Sequence, residues 1–512
     1  MKRNYFVFCL IALFGSLNMQ AYDFEVNGIF YTVTDTASAS AKVAVTSDSE
    51  QLYEGTVAIP STVTNDGKTY SVTAIGEKAF YYCKGLTSVT IPESVKEIGG
   101  NAFRNCAGLT TLALPSGLTT IGYSAFFGCT GLTSVNIPAG VTVIEPYTFY
   151  GCKRLPSVNL SGISRIGGSA FAGCAALTSV AIPAANIESY TFQNCTGLTS
   201  VSIPVGVANI GDGAFQGCNG LTSVIIPEGV VQIGRIAFED CTALTSLTIS
   251  STVKSLVSSS FGGCVKLTSI AVAEGNTVYD SRNNCNAIIE TYEEKKQGET
   301  ITHSKLVTGC KGTVIPDGVT EIGSNAFRNC GGLTSINIPS SVTFIGYSAF
   351  QNTGLTTVTI GENVSELDDL CFADCANLTT VTLPSTVNKI GYEAFSNCTA
   401  LKDFYCNAEK CPTASSDTFL GTPVGTATLH VPAAGVGVYT LTDPWSQFGS
   451  IVGGDGNLVA PEKDDATAIA SLQNAGKVQQ VYNLGGQQAG RLQRGINVVV
   501  LSDGTTRKVF VK

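Results

Sequence analysis

A pattern of about 22 residues recurs along most of this chain and limits what it can fold into. A phenylalanine marks each copy, and neighbouring copies lie 21 to 23 residues apart within two series. A single compact core rarely grows beyond roughly 250 to 300 residues, so a repeating chain of 512 residues predicts a linear array of stacked turns, a solenoid. The marker residues are Phe80, Phe103, Phe126, Phe149, Phe171, Phe192, Phe215, Phe238 and Phe261, then Phe327, Phe350, Phe372 and Phe395.

Each copy carries three signals, and one copy is called a rung below. The spacing Leu-x-x-Val-x-Ile, as in Leu86, Val89 and Ile91, turns three apolar side chains inward around a short strand. A proline such as Pro92 follows the strand and fixes a corner, because it has no N–H with which to extend a sheet. The segment Val-x-x-Ile-Gly then forms a second apolar side and leads into Ala-Phe-x-x-Cys. Stacked rungs would share one core with columns of Phe and Leu.

These patterns divide the chain into six predicted segments. Lys2 and Arg3 precede an apolar run from Phe6 to Leu17, which is typical of a signal peptide. An array exposes its core at each open end, so β-rich caps are expected there. The segments are a signal peptide at 1–21, an N-terminal β cap at 22–75, a solenoid at 76–404 with irregular rungs at 273–312, a C-terminal cap at 405–452, a linker at 453–470 and a small β domain at 471–512.

The full repeat is more specific than its parts. The compound pattern Ala-Phe-x-x-Cys-x-x-Leu-Thr-Ser-Val-x-Ile-Pro-x-x-Val-x-x-Ile-Gly, which recurs over residues 76–404, resembles the BspA-type leucine-rich repeat. The resemblance implies a β-rich leucine-rich-repeat solenoid of about 16 rungs, with caps similar to residues 22–31 and 406–450. It also implies adhesion at the cell surface, often to host matrix proteins or other cells, and no catalysis.

The C-terminal segment carries a second, shorter resemblance. Val481-Tyr-Asn-Leu-Gly-Gly-Gln and Lys508-Val-Phe-Val-Lys resemble the sorting domains that type IX secretion uses in Gram-negative bacteria, and Asp503-Gly504 predicts a hairpin turn between strands. The resemblance implies export to the outer membrane surface or the medium, with the secretion machinery as a partner of the tail.

The charge distribution excludes some classes of partner. The whole chain carries a net charge of −9, residues 1–21 carry +2 and residues 471–512 carry +5, so the body from 22 to 470 carries −16. An acidic body disfavours nucleic acid and anionic membranes as partners. After the predicted signal peptide no stretch approaches the roughly 20 apolar residues of a transmembrane helix.

The 18 cysteines follow the repeat more closely than they follow any disulfide or metal pattern. Twelve of them lie three residues after a repeat Phe, one per rung, and we expect buried thiols that act as small apolar residues. A linear column does not supply the tetrahedral cluster of a zinc site. Cys406 with Cys411 is the first candidate disulfide, and Cys285 with Cys310 is another.

No catalytic constellation is present in the sequence. The two histidines, His303 and His430, lie in unrelated segments, and we interpret both as surface or cap residues. Neither a nucleophile elbow nor a phosphate loop nor a His-Glu-x-x-His helix appears, so we predict no enzyme and no cofactor.

Outward-facing positions of the strand form the first candidate binding surface, called the ladder face below. It is nearly uncharged, and small hydroxylated residues also simply suit an exposed sheet. Its predicted members are Ser88, Thr90, Thr111, Ser134, Asn136, Ser157, Asn159, Ser179, Ser200, Ser202, Ser223, Ser246, Thr248, Ser335, Asn337, Thr357, Thr359, Thr380 and Thr382.

A charged segment between the two Phe series is the second candidate. We predict a hairpin that projects from irregular rungs near Gly298, because insertions in repeat proteins often carry recognition. Its candidate residues are Glu293, Glu294, Lys295, Lys296 and Glu299.

Two functions of different classes follow from these features. The first is a cell-surface or secreted module that binds extracellular or host-surface proteins through many weak contacts. The alternative is a passive spacer or coat component of the cell envelope that has no specific ligand.

Overall fold

The structure is a computed structural model that describes residues 22–36, 41–46, 52–183, 185–296 and 298–454, together with the backbone of four strands between residues 478 and 511. The predicted signal peptide, residues 455–470 of the predicted linker and the Asp503-Gly504 turn lie outside the described residues. The chain forms a β-solenoid of about 16 turns, which confirms the predicted fold class.

The chain divides into two compact units. Unit 1 contains the chain up to Thr291 together with Val307–Gly312, and unit 2 contains Tyr292–Leu306 together with the chain from Thr313 onward. Two strands, Ala287–Lys296 and Glu299–Gly309, carry the chain from one unit to the other and back.

Unit 1 opens with a β segment that is not part of the repeat. Its strands Phe24–Val26, Ile29–Asp35 and Ala41–Thr46 pair antiparallel in that order, and Ala41–Thr46 pairs parallel to Lys68–Ile75. The strand Thr62–Asn65 pairs antiparallel to Lys68–Ile75.

Two parallel series of short strands then run along unit 1. The series of the ladder face contains Gly55–Ala58, Leu86–Thr90, Thr111–Leu112, Ser134–Val135, Ser223–Ile225, Ser246–Ile249 and Ser269–Val272. The second series contains Glu97–Ile98, Thr120–Ile121, Val143–Ile144, Arg165–Ile166, Asn209–Ile210, Gln232–Ile233 and Ser255–Leu256. Tyr279–Asp280 and the 3-10 helices Ser258–Phe261 and Arg282–Asn284 follow the last rungs.

Unit 2 repeats this arrangement and ends in a helical and aromatic cap. Its ladder series contains Thr357–Thr359, Thr380–Leu383, Asp403–Cys406, Thr428–Pro432 and Ser450–Gly454, and its second series contains Glu321–Ile322, Phe344–Ile345, Glu366–Leu367 and Lys389–Ile390. The α-helix Val436–Leu441 and the 3-10 helices Val424–Thr426, Ala433–Gly435 and Trp445–Gln447 lie beside the last strands.

The backbone of the C-terminal segment forms a four-stranded antiparallel sheet. Its strands are Val478–Asn483, Gln488–Ala489, Gly495–Leu501 and Thr506–Val511. Val478–Asn483 lies between Gln488–Ala489 and Gly495–Leu501, and Thr506–Val511 pairs with the far edge of Gly495–Leu501.

The core of each unit is a column of stacked phenylalanine rings. In unit 1 the nine rings from Phe80 to Phe261 lie 4.9 to 5.8 Å apart, within 14° of parallel. In unit 2 the four rings from Phe327 to Phe395 lie 5.0 to 5.4 Å apart. The rung repeat thus places equivalent side chains directly over one another, and burial of these rings supplies much of the driving force for stacking.

A tight turn surrounds each buried Phe, because residues two before and two after it have positive φ in most rungs. Asn105 (φ 62°) and Gly128 (φ 68°) occupy the second position in neighbouring rungs. Asparagine and glycine are the residues that adopt this left-handed conformation most readily, and a Cβ at Gly128 would displace only the side-chain oxygen of Asn105.

An aromatic residue covers the first ring of the Phe column in unit 1, and another covers the last ring of the Phe column in unit 2. Tyr53 lies 4.8 Å from Phe80 in unit 1, and its hydroxyl accepts from the Phe30 N–H at 3.1 Å. In unit 2, Phe419 continues the column at 6.0 Å from Phe395, which makes residues after 404 a further rung. The sequence analysis placed Phe419 in a degraded cap, although its spacing to Thr422 matches that of Phe350 to Thr353.

The ladder series is less regular than the sequence predicts. No strand is assigned at Ser157, Ser179 or Ser335, although the sequence pattern there is intact. In unit 1 this gap coincides with rungs of 22 and 21 residues between Phe149 and Phe192, whereas the other rungs have 23. We attribute the gaps at Ser157 and Ser179 to this shortening, which moves these segments out of the register that a ladder of hydrogen bonds requires. Ser200 and Ser335 also lie outside any strand although their rungs have 23 residues, and the shortening does not explain them.

Candidate binding surface

Where strands form on the ladder face, they are parallel and pair equivalent residues of neighbouring rungs. In unit 1, Ser223, Ser246 and Ser269 are paired in succession, as are Ile225 and Thr248. In unit 2, Thr357 pairs with Thr380 and Thr359 pairs with Thr382. Because alternate residues of a strand point to opposite faces, the Val or Leu between each such pair lies in the core.

Most of the predicted ladder residues are accessible to solvent. Three of them, Ser88, Ser246 and Thr380, are half-buried. The exposed ones are Thr90, Thr111, Ser134, Asn136, Ser157, Asn159, Ser179, Ser200, Ser202, Ser223, Thr248, Ser335, Asn337, Thr357 and Thr359.

Two adjacent columns of hydroxyls on this face differ in how they are bonded. In seven rungs with described side chains the Thr that follows the Leu donates to a carbonyl of the preceding rung, as in Thr133 to Thr110 at 3.1 Å and Thr245 to Thr222 at 3.0 Å. The next residue has no such role. Within the part of the chain that the structure describes, no hydrogen-bond partner is found for the hydroxyls of Ser134, Ser157, Ser179, Ser200 and Ser223.

The predicted exposure of Thr382 is wrong. Its side chain is buried, at 4% exposure, and cannot contact a partner. The residue paired with it on the next strand is Tyr405, and Tyr405 is followed in the same column by His430. The two rings stack at 4.1 Å, and burial raises the pKa of Tyr405 to about 12. We attribute the burial of Thr382 to this larger neighbour.

The same cluster gives the ladder face of unit 2 a distinct end. Nε2 of His430 lies 2.9 Å from a carboxylate oxygen of Asp403, which occupies the column of Thr357 and Thr380. The sequence predicts a nearly uncharged ladder face and a surface or cap position for His430, and it does not predict the Tyr405, His430 and Asp403 cluster at the end of this face. Asp403-Phe-Tyr405 has the alternation of the earlier strands, and that signal would have placed both residues on the face.

The cysteine column is buried, as predicted, and it is also hydrogen-bonded. Cys106, Cys129 and Cys152 each donate to the carbonyl oxygen of the Phe one rung earlier, at 2.9, 3.0 and 3.3 Å. Burial raises the pKa of Cys83 to about 11 and the pKa of Cys129 to about 12. These thiols are therefore protonated, unreactive parts of the core.

Neither candidate disulfide is formed, since all four cysteines are free thiols. The thiol of Cys406 is buried at the end of its strand, 3.2 Å from the hydroxyl of Tyr439, whereas Cys411 is only half-buried. In unit 1, Cys310 donates to the carbonyl of Asn286 at 3.4 Å, and Cys285 lies 3.7 Å from the carbonyl of Ala287.

The predicted charged hairpin is present in unit 2, and its candidate residues are exposed. These are Glu293, Glu294, Lys295, Lys296 and Glu299. At the base of the hairpin the ring of Tyr292 stacks on His303 at 4.9 Å.

His303 lies between two carboxylates in this hairpin. Its Nδ1 is 2.8 Å from Glu321, and its Nε2 is 3.2 Å from Glu294. The two ring nitrogens point in opposite directions, so these groups cannot bind one metal ion together. Across the residues with a described placement there is no group of three metal-binding side chains, and no helix there has the length and apolar character needed to cross a membrane.

Comparison with known proteins agrees with this geometry. The model of the BspA type leucine-rich-repeat region matches residues 73–186, 185–311 and 307–423. A leucine-rich-repeat protein from Bacteroides ovatus is similar in structure, with 25% identity, a TM-score of 0.50, and coverage of 75% of this chain and 94% of that chain.

Two further solved structures are similar over part of the chain. A leucine-rich cell-surface protein from Faecalibacterium prausnitzii has 28% identity and a TM-score of 0.42, with 75% of this chain and 94% of that chain covered. A leucine-rich-repeat protein from T. pallidum has 31% identity and a TM-score of 0.30, with 42% and 87% covered. Curated protein sequences give no significant match.

Proposed function

Because the chain belongs to the BspA-type leucine-rich-repeat family, we propose that it is a protein-binding module of the cell surface or the extracellular space, and that the ladder face carries the binding. Leucine-rich-repeat proteins generally mediate interactions between proteins. The finer proposal is adhesion to host matrix proteins or to other cells.

The observation that carries this proposal is the column of unpartnered hydroxyls. Ser134, Ser157 and Ser200 are exposed, and the chain supplies no hydrogen-bond partner for them in its described part. The neighbouring Thr column shows that hydroxyls of this sheet do bond to the backbone where the geometry allows it. The Ser column is therefore free to bond to a partner without breaking any contact of the fold.

The uniformity of the face favours many weak contacts over one strong site. Each rung adds a similar pair of small polar residues at a spacing of about 4.8 Å. A partner with a repeating surface therefore binds more tightly as the number of contacted rungs increases. The large aromatic and arginine anchors of a tight interface are not part of the Ser column.

The test is to add charge to the ladder face and compare it with a matched change elsewhere. One variant carries lysine at Ser134, Ser157, Ser200 and Ser223, and the control carries lysine at four exposed positions of the other side of the rungs, Thr120, Thr142, Gln232 and Ser255. Binding of the purified chain to a panel of extracellular-matrix proteins is measured by surface plasmon resonance. We expect saturable binding that the ladder variant loses and the control retains.

Three results would count against this assignment. Equal binding by both variants would exclude the ladder face as the binding surface. Equal loss of binding in both variants would indicate a general effect of the added charge. Absence of saturable binding to every matrix protein and to intact cells would favour the passive spacer.

We also propose that the C-terminal sheet directs export or surface attachment. The support is its sequence resemblance to type IX sorting domains and its separate antiparallel sheet. A chain that ends at Gly453 should accumulate inside the cell. Normal surface display of that chain would contradict the proposal.

A further inference from the structure

One surface column of unit 1 changes its chemistry along the solenoid. It contains the residue that follows each buried repeat Phe. In the first four rungs these residues are Tyr81, Arg104, Phe127 and Tyr150, and in the next four they are Ala172, Gln193, Gln216 and Glu239. Backbone hydrogen bonds of 2.6 to 2.8 Å join each of the first four rungs to the next in this turn.

A column whose residues differ from rung to rung can fix the position of a partner along the solenoid, which the uniform ladder face cannot do. A surface that is the same in every rung offers a partner the same contacts at each step of about 4.8 Å, so it cannot fix the partner's position. A column that differs from rung to rung can fix it. The other half of the column already binds within itself, because Gln193 donates to Gln216 and Gln216 donates to Glu239, both at 2.7 Å.

Phe127, in the middle of the aromatic half, presents its ring edge rather than its ring faces. The guanidinium carbon of Arg104 lies 3.9 Å from the ring centre of Phe127, and Tyr150 stacks on Phe127 at 4.5 Å and 5°. Arg104 and Tyr150 belong to the rungs on opposite sides of Phe127, so both faces of this ring are covered. The exposed edge of an aromatic ring is its electropositive part.

Arg104 is held in place while part of its donor set stays free. Its Nη1 donates to Oδ1 of Asn101 at 3.2 Å, and its Nε is buried without a partner. No carboxylate pairs with Arg104 among the described residues. A stacked, immobilised guanidinium is well suited to bind a carboxylate, because less side-chain entropy is lost on binding.

The charged residues inside the turns of the first four rungs are all basic, while Glu77 lies directly before them and pairs with Lys78. The turns 78–84, 101–107, 124–130 and 147–154 are called the basic turn edge below. They contain Lys78, Lys84, Arg104, Lys153 and Arg154 and no Asp or Glu, a net charge of +5. Lys78 lies 3.7 Å from Glu77, but no carboxylate partner is recorded for Lys84, Lys153 or Arg154 within the described ranges.

The later turns of unit 1 are different. Taken to the same position after the Phe as Arg154, the corresponding turns 169–176, 190–197, 213–220, 236–243 and 259–266 carry a net charge of −1, from Glu239, Asp240 and Lys266. A basic edge on a body with a net charge of −16 is thus a local feature of the first four rungs.

We propose that the basic turn edge binds an extended acidic segment of a partner protein. Carboxylates of that segment would meet Lys84, Arg104, Lys153 and Arg154, and the electropositive ring edges would line the path between them. A sugar platform needs exposed ring faces, and the covered faces of Phe127 do not supply one. This surface is separate from the ladder face and does not depend on the function proposed for that face.

The test uses fluorescein-labelled decaglutamate as the probe and measures its anisotropy with the purified full chain. The variant reverses three exposed charges, Lys84→Glu, Lys153→Glu and Arg154→Glu. The control makes the same change in net charge elsewhere in unit 1, with Arg235→Glu, Lys254→Glu and Lys266→Glu. We expect saturable binding that weakens about tenfold or more in the variant and less than about threefold in the control.

A second comparison tests the stacked arginine. Arg104→Lys keeps the charge but loses the planar group, so we expect weaker binding of decaglutamate with an unchanged circular-dichroism spectrum. The triple charge reversal can also be made in the ladder variant, which carries four added lysines outside the basic turn edge. In that combined variant the reversal should still weaken the binding of decaglutamate.

Several outcomes would overturn the proposal. One is the absence of saturable binding by the native chain, and another is an equal loss in the variant and its control. Binding of heparin without binding of decaglutamate would assign the edge to a sulfated polysaccharide instead of an acidic protein.

Discussion

The thiol of Cys129 donates a 3.0 Å hydrogen bond to the carbonyl oxygen of Phe103, the buried aromatic residue of the preceding rung. The same relationship joins Cys398 to Phe372 at 3.3 Å in unit 2. The carbonyl of Phe103 also accepts from the N–H of Cys106 at 3.2 Å, so the Cys129 thiol fills space and adds a second hydrogen bond to the same oxygen. In the last rung the hydroxyl of Thr422 donates to the carbonyl of Phe395 at 2.6 Å and takes over this role.

Removal of that donor should destabilise the solenoid. Cys129→Ala removes the thiol hydrogen bond to the Phe103 carbonyl, which keeps its bond from the Cys106 N–H at 3.2 Å, and it also removes a buried sulfur, so the free energy of unfolding should fall by about 1 to 3 kcal/mol. Cys129→Thr keeps a donor, and Thr422 shows that the rung accepts it, so its cost should be about 1 kcal/mol or less. Urea unfolding followed by circular dichroism measures both. Equal losses in the two variants would mean that the hydrogen bond contributes nothing.

Alkaline pH should destabilise the fold through the same thiols. Burial raises the pKa of Cys83 to about 11 and the pKa values of Cys129 and Cys174 to about 12. Unfolded thiols ionise near about pH 8.5, so above that pH the unfolded chain binds fewer protons than the folded chain and stability falls as pH rises. The stabilisation is complete below about pH 8 and is lost toward pH 11 to 12.

The slope should reach about 1.4 kcal/mol per pH unit for each ionised thiol. Urea midpoints between about pH 7 and pH 10 measure it, since unfolded tyrosines ionise mainly above about pH 10. The Cys129→Thr variant should lose one thiol's share of the slope. A urea midpoint that stays constant over this range would contradict the burial of the column.

Two adjacent aromatic residues should respond very differently to truncation. Phe126 is fully buried and lies 5.5 Å from Phe103 and 5.4 Å from Phe149, so Phe126→Ala should cost about 3 to 5 kcal/mol. Phe127 is half-buried on the surface, so Phe127→Ala should cost less than about 2 kcal/mol. Thermal unfolding of the two variants compares them. Equal costs would indicate that the rung is packed in another register.

Thiol labelling should separate the two cysteines of the predicted disulfide. Cys411 is half-buried and Cys406 is buried, so an alkylating reagent should modify Cys411 first in the native chain. Cys411→Ala should remove the fast phase, and Cys406→Ala should leave it in place. Mass spectrometry after labelling provides the measurement. If both residues stay unmodified until a reductant is added, the result would support the disulfide between Cys406 and Cys411.

The period of the repeat predicts the solenoid, the Phe and Leu columns and the inward cysteines, because stacking brings equivalent residues together whatever the details of each turn. It also predicts which positions of the strand face outward, as Ser134 and Thr357 confirm. The prediction fails where an irregular neighbour changes the environment, as Tyr405 does for Thr382. It also misses the last rung, because Phe419 and Thr422 lack the complete pattern around them.

By itself, then, the sequence determined the repeat, the core columns and the direction of each strand, since these depend on residue spacing within one rung. Only the tertiary structure decided which surface groups are free. Thr hydroxyls next to the Leu, such as those of Thr133 and Thr245, bond to the preceding rung while the Ser hydroxyls beside them do not, although both look alike in sequence. Likewise, Arg104, Phe127 and Tyr150 are separated by 23 residues each and become one stack only when the rungs are superposed at a spacing near 4.8 Å.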